Sequence, residues 1–147
     1  MNQFEEFGVY RTLLKAIEKY GGKDCNVVEL HCTGGDFADF LNRNDHKNYR
    51  GIAEDVSAAK KKVPELSRRF HTKLPKSAKQ DLVIIAKDIS GVDITTFDGI
   101  ESGNAIALIT KGASWENVCY KLNQYFRPGA STIEHPNGWF VTYGIAA

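Results

Sequence analysis

The stretch VVELHCTGGDF, residues 27–37, carries the first residues that can do chemistry. An apolar run ends in Glu29, then comes a small-residue turn containing Gly34 and Gly35, then the start of an apparent helix. Glycines let a chain turn tightly and bring backbone N–H groups close to a ligand. A carboxylate at a strand end accepts hydrogen bonds from a ligand ammonium or hydroxyl. A second acid at the end of the next strand grips a ribose through its hydroxyls, and here Glu54 or Asp55 is available for that. His31 stands at the first position of the turn, where such turns carry glycine. Two adjacent glycines are also what a plain strand-to-helix connection uses, so the turn alone does not decide between ligand site and connector.

The elements that would position these residues read as an alternation of strands and helices. Phe4 to Tyr20 has apolar residues at helical spacing (Phe4, Phe7, Tyr10, Leu14, Ile17) and predicts one amphipathic helix, ended by Gly21-Gly22. Val27–Leu30 predicts a short buried strand, Gly34–Asn42 a helix, and Tyr49–Ala53 a second strand. A basic helix is expected from Ser57 to about Phe70, capped by Ser57 or Asp55 and kinked or restarted at Pro64. Asp81–Ala86 (DLVIIA) and Asn104–Thr110 (NAIALIT) are apolar enough to be strands buried on both faces. Ser114–Phe126 predicts a helix with Trp115, Val118, Cys119, Leu122 and Phe126 on one face, and residues 89–103 hold a short helix or turn. Ala130–Ile133 and Gly138–Ile145 are closing strands. No third strand is legible between the second and the DLVIIA strand. The pattern implies one compact α/β domain over residues 1–147, with a mostly parallel sheet, helices on both faces and a shortened middle. Ligands bind such sheets at the carboxyl ends of the strands. That directs attention to His31–Asp36, Glu54-Asp55, Lys87-Asp88 and Lys111.

Composition narrows the classes. The 147 residues are 42% hydrophobic and 25% charged, with net charge +1, ordinary for a globular domain that buries a real core. The charge is unevenly spread: Lys60 to Lys79 holds eight Lys/Arg and one acid, Glu65. This segment is either a solvated helix face with its loop or a contact for RNA phosphates, with Phe70 and His71 available for stacking. Cys25, Cys32 and Cys119 form no CxxC pair, and His46, His71 and His135 are isolated, so neither a disulfide framework nor a metal site is expected. No membrane-spanning run or signal peptide is legible, and a reducing intracellular, cytoplasmic setting is expected.

The order of elements resembles the Rossmann-like S-adenosylmethionine-dependent methyltransferases. VVELHCTGGDF is similar to their acid-x-Gly-x-Gly-x-Gly motif, and NYRGIAED to their second strand with its ribose-binding acid. His31 and Thr33 replace the first two glycines, and Gly35 retains the third. Residues 108–143 (LITKGASWENVCYKLNQYFRPGASTIEHPNGWFVTYG) resemble the end of the FtsJ-like ribose 2′-O-methyltransferases, including capping enzymes of RNA viruses. That resemblance implies S-adenosylmethionine as cofactor, held by Glu29, His31, Thr33, Gly34, Gly35 and Glu54 or Asp55. It implies RNA as substrate, a mRNA cap among the options. It also implies a Lys-Asp-Lys-Glu tetrad, with Asp88 in AKDISG, Lys111 and Glu134, and with Arg11 or, one turn away, Lys15 as the first member. Such a tetrad serves to deprotonate a ribose hydroxyl: a lysine that burial and neighbouring cations render neutral takes the proton. Arg11 would remain protonated and anchor phosphate. The replaced glycines carry the alternative, a methyltransferase-like domain that binds or assembles without catalysing. A methyltransferase acting on a small molecule or a protein is a third reading. Because viral relatives of this family sit inside polyproteins, the chain is also readable as a piece of a larger protein.

Overall fold

The computed structural model describes residues 2–88, 103–111 and 124–147. The expected helix over 114–126 and the turn over 89–103 lie almost wholly outside these residues. Seven strands form one sheet in the order β3-β2-β1-β4-β5-β7-β6. They are β1 Val27–Leu30, β2 Tyr49–Ile52, β3 Phe70–His71, β4 Leu82–Asp88, β5 Ala105–Lys111, β6 Ser131–His135 and β7 Trp139–Ile145. β1 to β5 pair in parallel, while β7 runs antiparallel to both β5 and β6. The carboxyl ends of β1, β2, β4, β5 and β6 therefore share one edge with the start of β7.

The described helices are α1 Gln3–Glu6, α2 Val9–Lys19, α3 Asp36–Arg43 and α4 Ser57–Lys62. They pack their apolar residues into one large core with Val27, Tyr49, Leu82, Ile84, Ala107, Ile109 and Val141 of the sheet. The residues that alternate with these along β4 and β5 (Val83, Ile85, Ile106 and Leu108) join Phe126 and Ala146 in a smaller cluster on the opposite face. Strands buried on both faces read as continuous apolar runs, which is why DLVIIA and NAIALIT were legible.

Two expectations are corrected, and the choice left open at Pro64 is decided. The helix expected from Phe4 to Tyr20 is two helices, because Gly8 adopts φ 78° between them. The left-handed residue stops α1 and turns it so that Phe4 meets Trp139 edge-on at 4.8 Å. The basic helix ends at Lys62. Pro64 then opens a 3-10 turn over Pro64–Arg69, since its missing N–H costs nothing in a first turn. A third strand does exist: Gly51 and Ile52 pair with Phe70 and His71. Two residues are too few to show an alternating pattern. Phe70 is buried against Tyr49, so it is not available for stacking on a base.

Arg43 fastens α1 to α3 through paired bonds to Glu5 at 2.8 and 2.9 Å, and it also bonds Asp39 within its own helix at 3.1 Å. Among the described residues no helix is long and apolar enough to cross a membrane, no cluster of His, Cys, Asp and Glu could hold a metal, and Cys25 and Cys32 are buried free thiols.

Candidate functional site

The turn after β1 keeps a glycine-like backbone without glycine at its first position. His31 has φ 59°, in the left-handed region that costs an L residue about 1–2 kcal/mol. Gly35 has φ 78° and caps α3. A Cβ there would lie 3.0 Å from the Ala59 Cα, so glycine is also what lets α3 approach α4. The Cys32 N–H donates to the Ile52 carbonyl at 3.1 Å, and the Gly35 N–H to the Cys32 carbonyl at 2.8 Å. These bonds hold the turn against the end of β2. Thr33 and Gly34 are exposed on its outer side.

Beneath the turn lies a buried polar group. Glu29 is 4% exposed and accepts a short hydrogen bond from the Tyr49 hydroxyl. That hydroxyl also contacts the Cys32 thiol. Gly51 makes room for the arrangement: a Cβ on it would fall 2.5 Å from the Tyr49 oxygen and 2.8 Å from Cys32 Sγ. Burial pushes the Glu29 carboxyl up to about 7, against the Tyr49 hydrogen bond. It pushes the Cys32 thiol up to about 12. Glu29 thus supports the turn from inside the core.

His31 after β1, Glu54 after β2 and Lys87 near the end of β4 are neighbours at the carboxyl edge of the sheet. Burial lowers the His31 pKa, Lys87 lowers it further and Glu54 opposes both, so these three groups share one environment. Of the two acids after β2, Asp55 accepts the Ser57 N–H at 2.9 Å and shapes the start of α4. Glu54 is exposed beside His31. Asp36, the first residue of α3, pairs with Lys62 at 2.6 Å, and the Lys62 bond holds its carboxyl below the usual range.

The tetrad members are distributed unequally. Lys111 lies opposite Trp139, and Glu134 opposite Phe140. Trp139 and Phe140 are consecutive on β7, so Lys111 and Glu134 project from opposite faces of the sheet. Asp88, after an irregularity in β4, pairs with Ile109, two residues before Lys111. Asp88 and Lys111 therefore share a face at neighbouring strand ends. Arg11 and Lys15 are exposed on α2, lining a surface depression with Glu5, Glu18 and Arg43. Of the four-residue constellation expected from the resemblance, strand pairing thus puts Asp88 and Lys111 on one face and Glu134 on the other, while Lys15 on α2 comes near His135 in the row of Lys111. Spacing along the chain carried no information about which way β6 is pleated.

The face that holds Lys111 also holds residues the sequence left as isolated or as core. Lys111, Trp139 and His135 form one row across β5, β7 and β6. Lys111 Nζ sits 5.0 Å from the centroid of the Trp139 ring. The Trp139 indole N–H donates to Gln3 Oε1 at 3.3 Å. His135 engages Thr12 Oγ1 at 3.0 Å and the Phe7 carbonyl at 3.2 Å. Burial lowers its pKa, with Lys15 adding to the effect. His46 bonds the Cys25 carbonyl at 3.1 Å. Only cross-strand pairing reveals the row, because Lys111 lies far in sequence from His135 and Trp139.

A sheet in this order, with a single strand reversed beside β5 and a glycine-type turn after β1, defines the Rossmann-like methyltransferase fold. No model of a protein family and no curated protein matches the chain in sequence, whereas solved structures match its fold. It resembles the N-methyltransferase NodS from Bradyrhizobium japonicum, with a TM-score of 0.66 and 14% identity over 99% of this chain and 97% of that one. A SAM-dependent methyltransferase from Aquifex aeolicus superimposes at 0.65, with 15% identity over 99% and 93% of the two chains. An RNA methyltransferase from Salinibacter ruber, in complex with S-adenosylhomocysteine, does so at 0.61, with 14% identity over 94% and 90%.

Proposed function

We propose that the chain is an S-adenosylmethionine-dependent methyltransferase whose acceptor is a ribose 2′-hydroxyl of RNA, a cap nucleotide included. The observation that carries the reading is the glycine-type backbone at His31 and Gly35, held at the carboxyl end of β1 within a methyltransferase sheet. The residues fit the cofactor. Exposed Thr33 and Gly34 form the outer side of the turn, Glu54 stands free of capping duty to take ribose hydroxyls, and His31 lies between Glu54 and Lys87. The cofactor supplies a methyl group on a sulfonium, an electrophile that needs no metal.

This chain's own part is to align the acceptor oxygen with that methyl and to receive the proton the hydroxyl loses, and alignment supplies most of the acceleration. Lys111 is the amine at the strand ends placed to take the proton; it is exposed, so covering by the bound acceptor is what would disfavour its charged form. Asp88 on the same face orients it, and the Trp139 ring restricts where its amine can sit. Three solved neighbours named as RNA methyltransferases or rRNA methylases favour RNA as the substrate class, and the basic segment Lys60–Lys79 suits phosphates.

Isothermal titration of the chain with S-adenosylhomocysteine tests the cofactor reading. Saturable binding is expected, weakened about tenfold by Glu54→Gln, as befits loss of a charged hydrogen bond. Absence of binding at millimolar ligand would sink it and leave a methyltransferase-like binding module. Transfer of labelled methyl to capped RNA, compared with uncapped RNA and small acceptors, tests the substrate.

A further inference from the structure

The short third strand has a consequence at the opposite end of the sheet. β3 pairs with Gly51 and Ile52, so among the described residues Tyr49 and Arg50, the first half of β2, have no strand partner on that side. The chain returning toward β4 passes below this gap and is tied to the amino end of β1, where the Asp81 N–H donates to the Asn26 carbonyl at 2.8 Å. Between them lies a groove of roughly 240 Å³. Arg50 from β2, Arg69 from the 3-10 turn and Lys79 from the returning segment all line it, together with Ser77, Asn26 and Asn48.

Among the described residues, no acid lines the groove. The nearest carboxylate the structure ties to it, Asp81, accepts the Asn26 backbone and side-chain N–H groups, each at 2.8 Å. The ion pairs among the described residues join Arg43 to Glu5 and Asp39, and Lys62 to Asp36, leaving these three cations out. Arg50 instead contacts His71 Nε2 at 2.9 Å. Burial, with Arg50, Lys60 and Arg69 nearby, lowers the His71 pKa, which keeps the imidazole neutral and able to accept from the guanidinium. Cations converging on one recess raise its positive potential and favour an anion. Two guanidinium forks and an ammonium match the several oxygens of a phosphate. Arg68, Lys73 and Lys76, exposed nearby in sequence, continue the positive surface away from the recess.

We propose that the groove between the amino end of β2 and the Ser77–Lys79 segment binds a phosphate group through Arg50, Arg69 and Lys79, the backbone phosphate of a single-stranded RNA in the first instance. This deepens the RNA reading on which it rests, giving the phosphate contact of the Lys60–Lys79 segment a defined groove at the end of the sheet away from the methyl-transfer residues.

The test titrates the whole chain at low salt with a single-stranded RNA hexamer and, separately, with inorganic phosphate, following backbone amide shifts by NMR. The Arg69→Gln/Lys79→Gln variant alters one half-buried and one exposed side chain. Arg50→Gln is the second variant, with thermal melts confirming that each is folded. Shifts centred on residues 48–50, 69 and 77–79, with binding at least tenfold weaker in the double variant, support the site. Inorganic phosphate competing with the hexamer identifies a backbone phosphate as the ligand. Phosphate binding there while the hexamer does not identifies a free phosphate or nucleotide, and also supports the site. No shifts with either probe at millimolar concentration, or equal affinity in the variants, overturns it. S-adenosylhomocysteine titration of the same samples reports the cofactor reading separately, so the two can fail independently.

Discussion

At the scale of single residues, backbone conformation and burial decide what His31 and Glu29 do. His31 occupies a left-handed position, where a β-branched side chain is a steric outlier and glycine is at ease. His31→Val is therefore expected to be about 1–2 kcal/mol less stable than His31→Gly by urea denaturation, and equal midpoints would show that the turn relaxes. Glu29 makes stability depend on pH. Its ordinary value is 4.5 and its folded value about 7, so between these the folded state holds a proton that the unfolded chain has released. The stabilisation from this group is full below about pH 4.5 and is lost as pH rises through about 7. Glu29→Gln, neutral at every pH, should flatten that part of the stability profile, read as urea midpoints from pH 4.5 to 7.5. An unchanged slope would place its origin elsewhere.

At the scale of elements, the pleat of the strands sorts residues that the sequence could not. Lys111 and Glu134 project from opposite faces because their partners on β7 are consecutive. Lys111→Ala is expected to lower methyl transfer by about 10²-fold or more, the ordinary worth of a positioned base, with S-adenosylhomocysteine affinity unchanged. Glu134→Ala should cost less than threefold. A Glu134 effect equal to that of Lys111 would mean that the two act together and that the pleat argument fails. The β1–β2 pair offers a stability test. Gly51→Ala would force the added methyl onto the Tyr49 oxygen and the Cys32 sulfur, which overpacking places at about 1–3 kcal/mol, measurable by thermal or urea unfolding.

At the scale of the whole molecule, the sheet order separates two chemistries. The carboxyl ends of the strands gather His31, Glu54, Lys87, Asp88 and Lys111, and the amino end of β2 gathers cations beside a short third strand. A cofactor that binds only the folded chain raises its stability by RT ln(1 + [L]/Kd), about 2.7 kcal/mol at a hundredfold excess over Kd. S-adenosylhomocysteine should thus raise the melting temperature in a dose-dependent way, while inorganic phosphate should do so through the other end. Additive shifts with both present would match two separate sites.

Much of this architecture was legible from residue type and period. The buried runs DLVIIA and NAIALIT and the acid-and-glycine turn announced a mostly parallel sheet, and so directed attention to its carboxyl edge, because burial on both faces and tight turns leave local signatures. Pro64 likewise marked the restart after α4, though not that the chain continues as a 3-10 turn. The two-residue β3 and the break at Gly8 were not legible, since one depends on a pairing partner outside any local window and the other on a single positive φ. The site divides in the same way. His31 and Glu54 could be named from their places after strands. That Glu29 is a buried prop under the turn, that Glu134 faces away from Lys111, and that Trp139 and His135 share a row with it depended on pairing between strands distant in the chain, which only the folded sheet defines.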